Sequence, residues 1–289
     1  MKKIIVAEAQ GFCWGVRRAL EIVENQGPVS ILGDLIHNKQ VVKTLEAKGK
    51  IVIHEVTRDE KNPIVITAHG TTTENIDLIN SLKKPLLDTT CPLVATIYDE
   101  GKKLEDAGCQ ILIIGDKNHV EVKGIASRMH EPLIANNEEE LDKLVLPSKL
   151  GIICQSTFSP KKFDIMVEQV CARIEEVYIK NTICHPTKRR QLAAERLVKQ
   201  VDIMIVIGGF HSSNTKKLAA LAKQYIETHH VETDEDIQKE WFEGKNEIGI
   251  TAGASTADWI INAIVQKIAS FEEGTLIELK DQEAEISTN

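Results

Sequence analysis

Several absences define this sequence before any motif does. Its 289 residues hold six cysteines but no Cys-x-x-Cys pair, so neither a zinc ribbon nor a thioredoxin-type redox pair is signalled. Apolar runs are short, such as "IMIVIGG" at 203–209, and none can span a bilayer. The opening "MKKIIVAEAQG" has two lysines but only a four-residue apolar run. That is too short for a secretory core and reads as a first strand. A cytoplasmic location with no membrane partner is expected. Six dispersed cysteines in such a chain do not suggest a disulfide framework. No Gly-x-Gly-x-x-Gly follows a strand and no P-loop occurs, which leaves no dinucleotide fingerprint. Positive charge is not in excess either. The formal charge is −8, which argues against a nucleic-acid partner.

What is present is apolar content of 42%, enough for a sizeable core and for two or three domains. The layout repeats. Cys13, Cys91 and Cys184 each follow a β-type run: "IIVAEAQGFC", "PLLDTTC" and "EEVYIKNTIC". A helical stripe follows each. The stripes are Val16, Ala19, Leu20 and Val23; Val94, Ile97, Tyr98 and Gly101; and Ala194, Leu197, Val198 and Val201. Next comes a strand ending in glycine, "VSILGD", "QILIIGD" or "DIMIVIGG", then a polar turn with His37, His119 or His211. A second strand in each unit ends in another small polar turn: "VITAHGTTTE", "GIICQSTFS" or "GITAGASTAD".

The chain therefore reads as three β/α units with small parallel sheets. The expected domains are 12–90, 91–183, and 184–280 joined by the N-terminal strand 1–11, with a polar tail at 281–289. The first strand is expected in the third unit because that unit ends without a returning strand of its own. Right-handed crossovers place the strand carboxyl ends at one edge of each sheet, where α/β proteins bind ligands. Three such edges facing one centre would each bring one cysteine.

Those three cysteines share an address at a strand end before a helix, where the helix dipole favours thiolate. Three thiolates without a fourth suit an iron–sulfur cluster with one open iron better than a closed zinc site. The alternative is burial as small hydrophobes. That reading suits Cys109, before a core strand, and Cys171, on a stripe with Val167, Val170 and Ile174. Cys154, at the end of "GIIC", stays ambiguous.

The polar turns carry two readings as well. "TTTE" at 71–74 fits a capping box that accounts for Thr71, and "SSN" at 212–214 precedes a helix. Helix N-termini also bind anions. No lysine or arginine sits inside these turns, so an anion there would be held by hydroxyls, amides and imidazoles. His37, His69 and His119 lie at strand-end turns. His54, His130, His185, His229 and His230 share no address and read as ordinary.

Seven motifs in order, "GFCWGVRRA", "HN" at 37–38, "TAHG" at 67–70, "DTTCP" at 88–92, "HVEVKG" at 119–124, "SSN" at 212–214 and "TAGAS" at 251–255, carry a resemblance. The chain resembles the 4-hydroxy-3-methylbut-2-enyl diphosphate reductase family, over about residues 4 to 270. That family closes the methylerythritol phosphate route to isoprenoids. The resemblance implies a pseudo-threefold trefoil of α/β domains around a [4Fe–4S] cluster with Cys13, Cys91 and Cys184 as ligands. It implies substrate diphosphate binding by His37, His69, Ser212, Ser213, Asn214 and Ser255, with His119 and Ser156 nearby. Glu121 matches the proton-relay glutamate, assisted by Ser156 and His119, and enclosure there favours a protonated carboxyl. Val120 stands where the family usually has proline, and Ser156 replaces a threonine while keeping the hydroxyl. His211 matches no family histidine.

The implied reaction is reductive loss of an allylic hydroxyl, giving isopentenyl and dimethylallyl diphosphates. Electrons would come from an external one-electron donor, ferredoxin or flavodoxin with its reductase, and a monomer is expected. Three other readings remain open at this stage. They are a hydro-lyase without net reduction, a ligand-binding module with closing α/β lobes, and a cluster-based sensor.

Overall fold

The computed structural model describes residues 2–279; the expected polar tail at 281–289 lies outside them. In chain order the strands are β1 (Lys3–Val6), β2 (Ser30–Leu32), β3 (Ile51–Ile53), β4 (Ile64–Ile66), β5 (Leu86–Asp88), β6 (Gln110–Ile114), β7 (Leu133–Ala135), β8 (Lys149–Cys154), β9 (Glu176–Ile179), β10 (Ile203–Ile207), β11 (Thr228–Val231), β12 (Glu247–Ala252) and β13 (Leu276–Leu279). The helices are α1 (Trp14–Glu24), α2 (Lys39–Ala47), α3 (Thr73–Ser81), α4 (Pro92–Asp106), α5 (Val120–Ala126), α6 (Glu138–Asp142), α7 (Pro160–Cys171), α8 (His185–Leu197), α9 (Ser213–Ala222) and α10 (Asp258–Ala269).

The strands form three sheets, ordered β3-β2-β4-β5, β7-β6-β8-β9 and β11-β10-β12-β1-β13. Every pairing is parallel. The order repeats: in each sheet the first strand of the unit lies between the second and the third. β1 joins the third sheet as expected, with Ile5 opposite Gly249 of β12. The reason expected for it does not hold. The third unit has its own returning strand, β13, and β1 sits between β12 and β13, pairing Ile5 with Glu278.

Three edge strands are too short to show a period of two, although β3 and β7 are made of apolar residues. β3, β7 and β11 are three or four residues long, and "THHV" is as polar as a turn. Each is held by a ladder to a buried neighbour rather than by its own pattern.

Two compact units make up the chain. Of the described residues, the first takes in those up to Arg17, the segment His37–Val41 and those from His185 to Leu279; the second takes in Arg18–Ile36 and Val42–Cys184. The five-stranded sheet lies in the first unit and both four-stranded sheets in the second.

Sheet β7-β6-β8-β9 shows why its strands read as unbroken apolar runs. Leu112 and Ile114 of β6 pack with Leu150, Ile152, Phe163 and Met166, the last two from α7. Their neighbours Ile111 and Ile113 face the other way, onto Ile97 and Leu104 of α4 and Val122 of α5. Both faces of a parallel sheet are covered, so both phases of the alternation are apolar. The five-stranded sheet follows suit. Met204 and Val206 pack with Ala194, Leu197 and Leu218, while Ile205 points to the opposite face and is fully buried. Ile205→Ala is expected to cost about 2–5 kcal/mol, as other large-to-small core changes do, read as a lower denaturation midpoint in urea with unchanged slope.

Candidate active site

The Cys13 N–H donates to the Ala254 carbonyl at 3.1 Å, the Cys91 N–H to Ala68 at 3.0 Å, and the Cys184 N–H to Ser156 at 2.9 Å. The acceptors stand in one structural position. β12 ends at Ala252, β4 at Ile66 and β8 at Cys154, so each acceptor lies two residues past its strand. Each cysteine then starts a helix: α1, α4 or α8 begins at the next residue. All three are half-buried, and none of the six cysteines is in a disulfide.

The other three differ. Cys109 is buried in the core with Leu104 and Ile111, and burial pushes its thiol above the usual range. Cys154 is fully buried beside Phe158 and Phe163, with the Thr182 hydroxyl 3.5 Å from its sulfur, which ends its ambiguity in favour of the core. Cys171 departs from expectation. It is exposed, because the buried stripe of α7 runs through Phe163, Met166 and Val170, and Cys171 lies a further 100° around the helix.

In the second unit, His119 caps α5: its Nδ1 accepts the Glu121 N–H at 3.2 Å. A neutral ring in that tautomer carries its proton on Nε2. Val120, in place of proline, still starts the helix. Glu121 is 1% exposed, and Ser156 serves both carboxyl oxygens. The Ser156 N–H donates to Oε1 at 2.6 Å and its hydroxyl to Oε2 at 2.8 Å. Ser156 thus anchors Glu121 through its amide and hydroxyl, and Cys184 through its carbonyl. The His69 ring meets the His119 ring edge-on with centroids 5.8 Å apart, and His69 directly follows the carbonyl that seats Cys91. Cys91, His69, His119, Glu121, Ser156 and Cys184 therefore form one chain of contacts along the carboxyl ends of the strands.

Thr71 is a correction. The cap of α3 is Thr72, whose Oγ1 accepts the Asn75 N–H at 3.5 Å. The Thr71 Oγ1 instead accepts from the Asn75 side chain at 2.8 Å.

In the compact unit that carries the five-stranded sheet, Ser212 caps α9, accepting the Thr215 N–H at 3.3 Å and the Thr215 hydroxyl at 3.0 Å. Ser213 is the first residue of that helix. The Ser255 hydroxyl lies 3.4 Å from the His37 carbonyl and 3.5 Å from Ser212 Oγ, both at the long limit of hydrogen bonding. Asn214, in the first turn of α9, is 3% exposed, and neither its amide nitrogen nor its oxygen has a hydrogen-bond partner among the described residues. Such a buried amide demands an explanation. Here it lies at a helix N-terminus among hydroxyls, the setting that binds anions.

Two contributors were not assigned from sequence. Asn38 caps α2 through Oδ1, which accepts from Gln40 and Val41, and donates through Nδ2 to the Ser255 carbonyl at 3.0 Å. Its capping role was legible from its place before a helix; its link to Ser255, 217 residues on, was not. Gly209 is required by close approach, since a Cβ there would stand 2.4 Å from the His37 carbonyl oxygen.

Comparison with known proteins now bears on this geometry. The family described as LytB protein matches residues 4–269. The chain belongs to the LytB family. The 4-hydroxy-3-methylbut-2-enyl diphosphate reductase of Syntrophotalea carbinolica is 39% identical over 278 residues, covering 94% of this chain and 100% of that one. The same-named enzyme of Campylobacter curvus is 38% identical, covering 93% and 100%. The solved structure of the Plasmodium falciparum E-1-hydroxy-2-methyl-but-2-enyl-4-diphosphate reductase matches with a TM-score of 0.93 at 27% identity, over 98% of this chain and 93% of that one. This LytB chain is thus an oxidoreductase by family, and its α/β fold of three parallel sheets matches that solved structure.

Among the described residues, no three His, Cys, Asp or Glu side chains are grouped so as to hold a metal ion, and no helix is long and apolar enough to cross a membrane. An iron–sulfur cluster takes its thiolates one to each iron rather than three to a single ion, and Cys13, Cys91 and Cys184, each half-buried at a strand end, are thiols of the kind it takes. Ser156→Ala is expected to destabilise the protein by about 1–3 kcal/mol, because a buried carboxyl loses its hydroxyl donor. Urea denaturation of both proteins measures it.

Proposed function

We propose that this chain reduces (E)-4-hydroxy-3-methylbut-2-enyl diphosphate to isopentenyl and dimethylallyl diphosphates, with release of water. The observation that carries the reading is the thrice-repeated seat of Cys13, Cys91 and Cys184. The names of the relatives support it independently. In this reading the three thiolates hold a [4Fe–4S] cluster, which when bound supplies the electrons and an open iron for the substrate's hydroxyl oxygen.

The chain's own residues have separate tasks. His37, His69, Ser212, Ser213, Asn214 and Ser255 hold the diphosphate. The unpartnered Asn214 amide and the loosely engaged Ser255 hydroxyl are the groups a polyanion would satisfy. Two protons must be supplied for each two electrons, one of them to the departing hydroxyl. Glu121 is the donor, because its carboxyl is buried and oriented through both oxygens by Ser156, with His119 capping the same helix turn. Proton delivery to either of two carbons of the allylic unit accounts for two products. With no dinucleotide fingerprint in the sequence, electrons come from an external ferredoxin or flavodoxin.

Anaerobic purification with iron and sulfide assays tests the cluster. The wild-type protein is expected to carry about four of each per chain for a cuboidal cluster, and Cys184→Ala much less. Little iron in the wild type would remove the proposal, and turnover without any reductant would point to a hydro-lyase instead. Glu121→Gln is expected to keep its iron and its substrate affinity while kcat falls by at least about 100-fold, the usual scale for a lost general acid. Unimpaired reduction by that variant would discard the proton role.

A further inference from the structure

The second unit contains a cluster that the reaction chemistry leaves unused. Tyr98 lies on α4, seven residues after Cys91. Gly70 follows His69 with φ of +79°, and a Cβ there would stand 2.1 Å from the Tyr98 hydroxyl oxygen. Gly124 lies three residues after Glu121 on α5. A Cβ on it would stand 3.0 Å from the Thr71 carbonyl and 3.2 Å from the same hydroxyl. Both glycines let the His69 turn and α5 close on Tyr98. That hydroxyl is buried and makes no hydrogen bond among the described residues, and burial pushes it up to about 12, so it stays protonated and neutral.

Arg128 closes the arrangement. Its guanidinium carbon lies 4.0 Å from the Tyr98 ring centroid. Its Nη1 donates to the Thr71 carbonyl at 2.8 Å and to the Gly124 carbonyl at 2.6 Å. One carbonyl belongs to the turn that carries His69, the other to the helix that carries Glu121 and is capped by His119. Thr73 adds a second tie, with its N–H on the Ser127 hydroxyl at 3.0 Å and its own hydroxyl on the Ser127 carbonyl at 3.1 Å.

We propose that Arg128, stacked on Tyr98, is a positioning residue that sets the distance of His69 from His119 and Glu121. α5 has seven residues, too few to hold its place without tertiary ties. Ser156 holds its first turn through Glu121, and Arg128 joins its last turn to the His69 loop. Arginine suits the task, because one planar group can stack on the ring and donate to two carbonyls. Lysine would keep the charge and lose the stacking plane.

The inference rests on the reading of His69 as a diphosphate-binding group, and that sets the expected kinetics. In Arg128→Ala the His69 turn shifts while Ser156 still orients Glu121. KM is therefore expected to rise about tenfold with kcat nearly unchanged, equivalent to about 1.4 kcal/mol of lost binding. A merely structural role would lower the active fraction, so that kcat falls and KM stays. Hydrogen exchange on the holoenzyme gives a second readout: faster exchange at residues 70–73 in Arg128→Ala, with no change in β10. Tyr98→Phe keeps the ring and is expected to match the wild type, whereas Tyr98→Leu should follow Arg128→Ala.

His69→Ala is the companion measurement. If it raises KM and Arg128→Ala does not, the clamp is overturned. If His69→Ala leaves KM unchanged, the binding reading of His69 fails instead. The clamp then stands or falls on whether exchange at 70–73 quickens. Should Arg128→Ala not fold, Arg128→Lys is measured in the same way.

Discussion

The seat on which each signature cysteine rests is a backbone hydrogen bond to a carbonyl two residues beyond a parallel strand. Much else depends on it. A backbone tie makes no demand on side chains, so three units of low mutual identity can keep one geometry. The strand supplies direction, the two-residue extension supplies reach, and the helix that follows supplies unpaired N–H groups at its start. A thiol placed there lies in a field that favours thiolate. Cys109, Cys154 and Cys171 lack that combination, and they pack into the core or lie on the surface.

Polar groups at the strand ends are satisfied in two different ways. Glu121 is buried and fully served by the chain, with Ser156 donating to both oxygens. Asn214 is buried, and its side chain is served by nothing among the described residues. A protein gains stability from the first arrangement and loses some through the second. Under the proposed function the contrast divides labour: the carboxyl proposed as proton donor is pre-oriented, and the groups proposed to hold the diphosphate await a ligand. Gly209 and Gly124 serve the same end, since each lets backbone approach backbone where a Cβ would intrude.

Much of this was legible in the sequence, for local reasons. Ten of the twelve stripe residues after the cysteines are buried, with Leu20 and Tyr98 half-buried and Val198 and Val201 past the end of α8, because a period of 3.6 residues is a property of each segment alone. Parallel sheets followed from the repeat; β1 joins the third sheet, but not for the reason expected, since β13 is that unit's own returning strand. The family could be read from seven ordered motifs, and the comparisons agree with it. The edge strands β3, β7 and β11 were not read, because runs of three or four residues are too short to show a period of two. Cys171 was misplaced by one position around a helix, where an angular error of 100° separates core from solvent. Thr72 rather than Thr71 caps α3, a one-residue difference that rests on dihedral angles.

By itself, then, the amino-acid order determined the class of fold, the triple β/α unit and the residue types gathered at strand ends, because these follow from periodicity and turn chemistry within short windows. Only tertiary structure decided that β13 returns beside β1, that Asn38 reaches Ser255, that Ser156 holds Glu121, and that Arg128 bridges two carbonyls 53 residues apart in the chain. Contacts across such separations depend on how separate elements pack, and no local pattern encodes that.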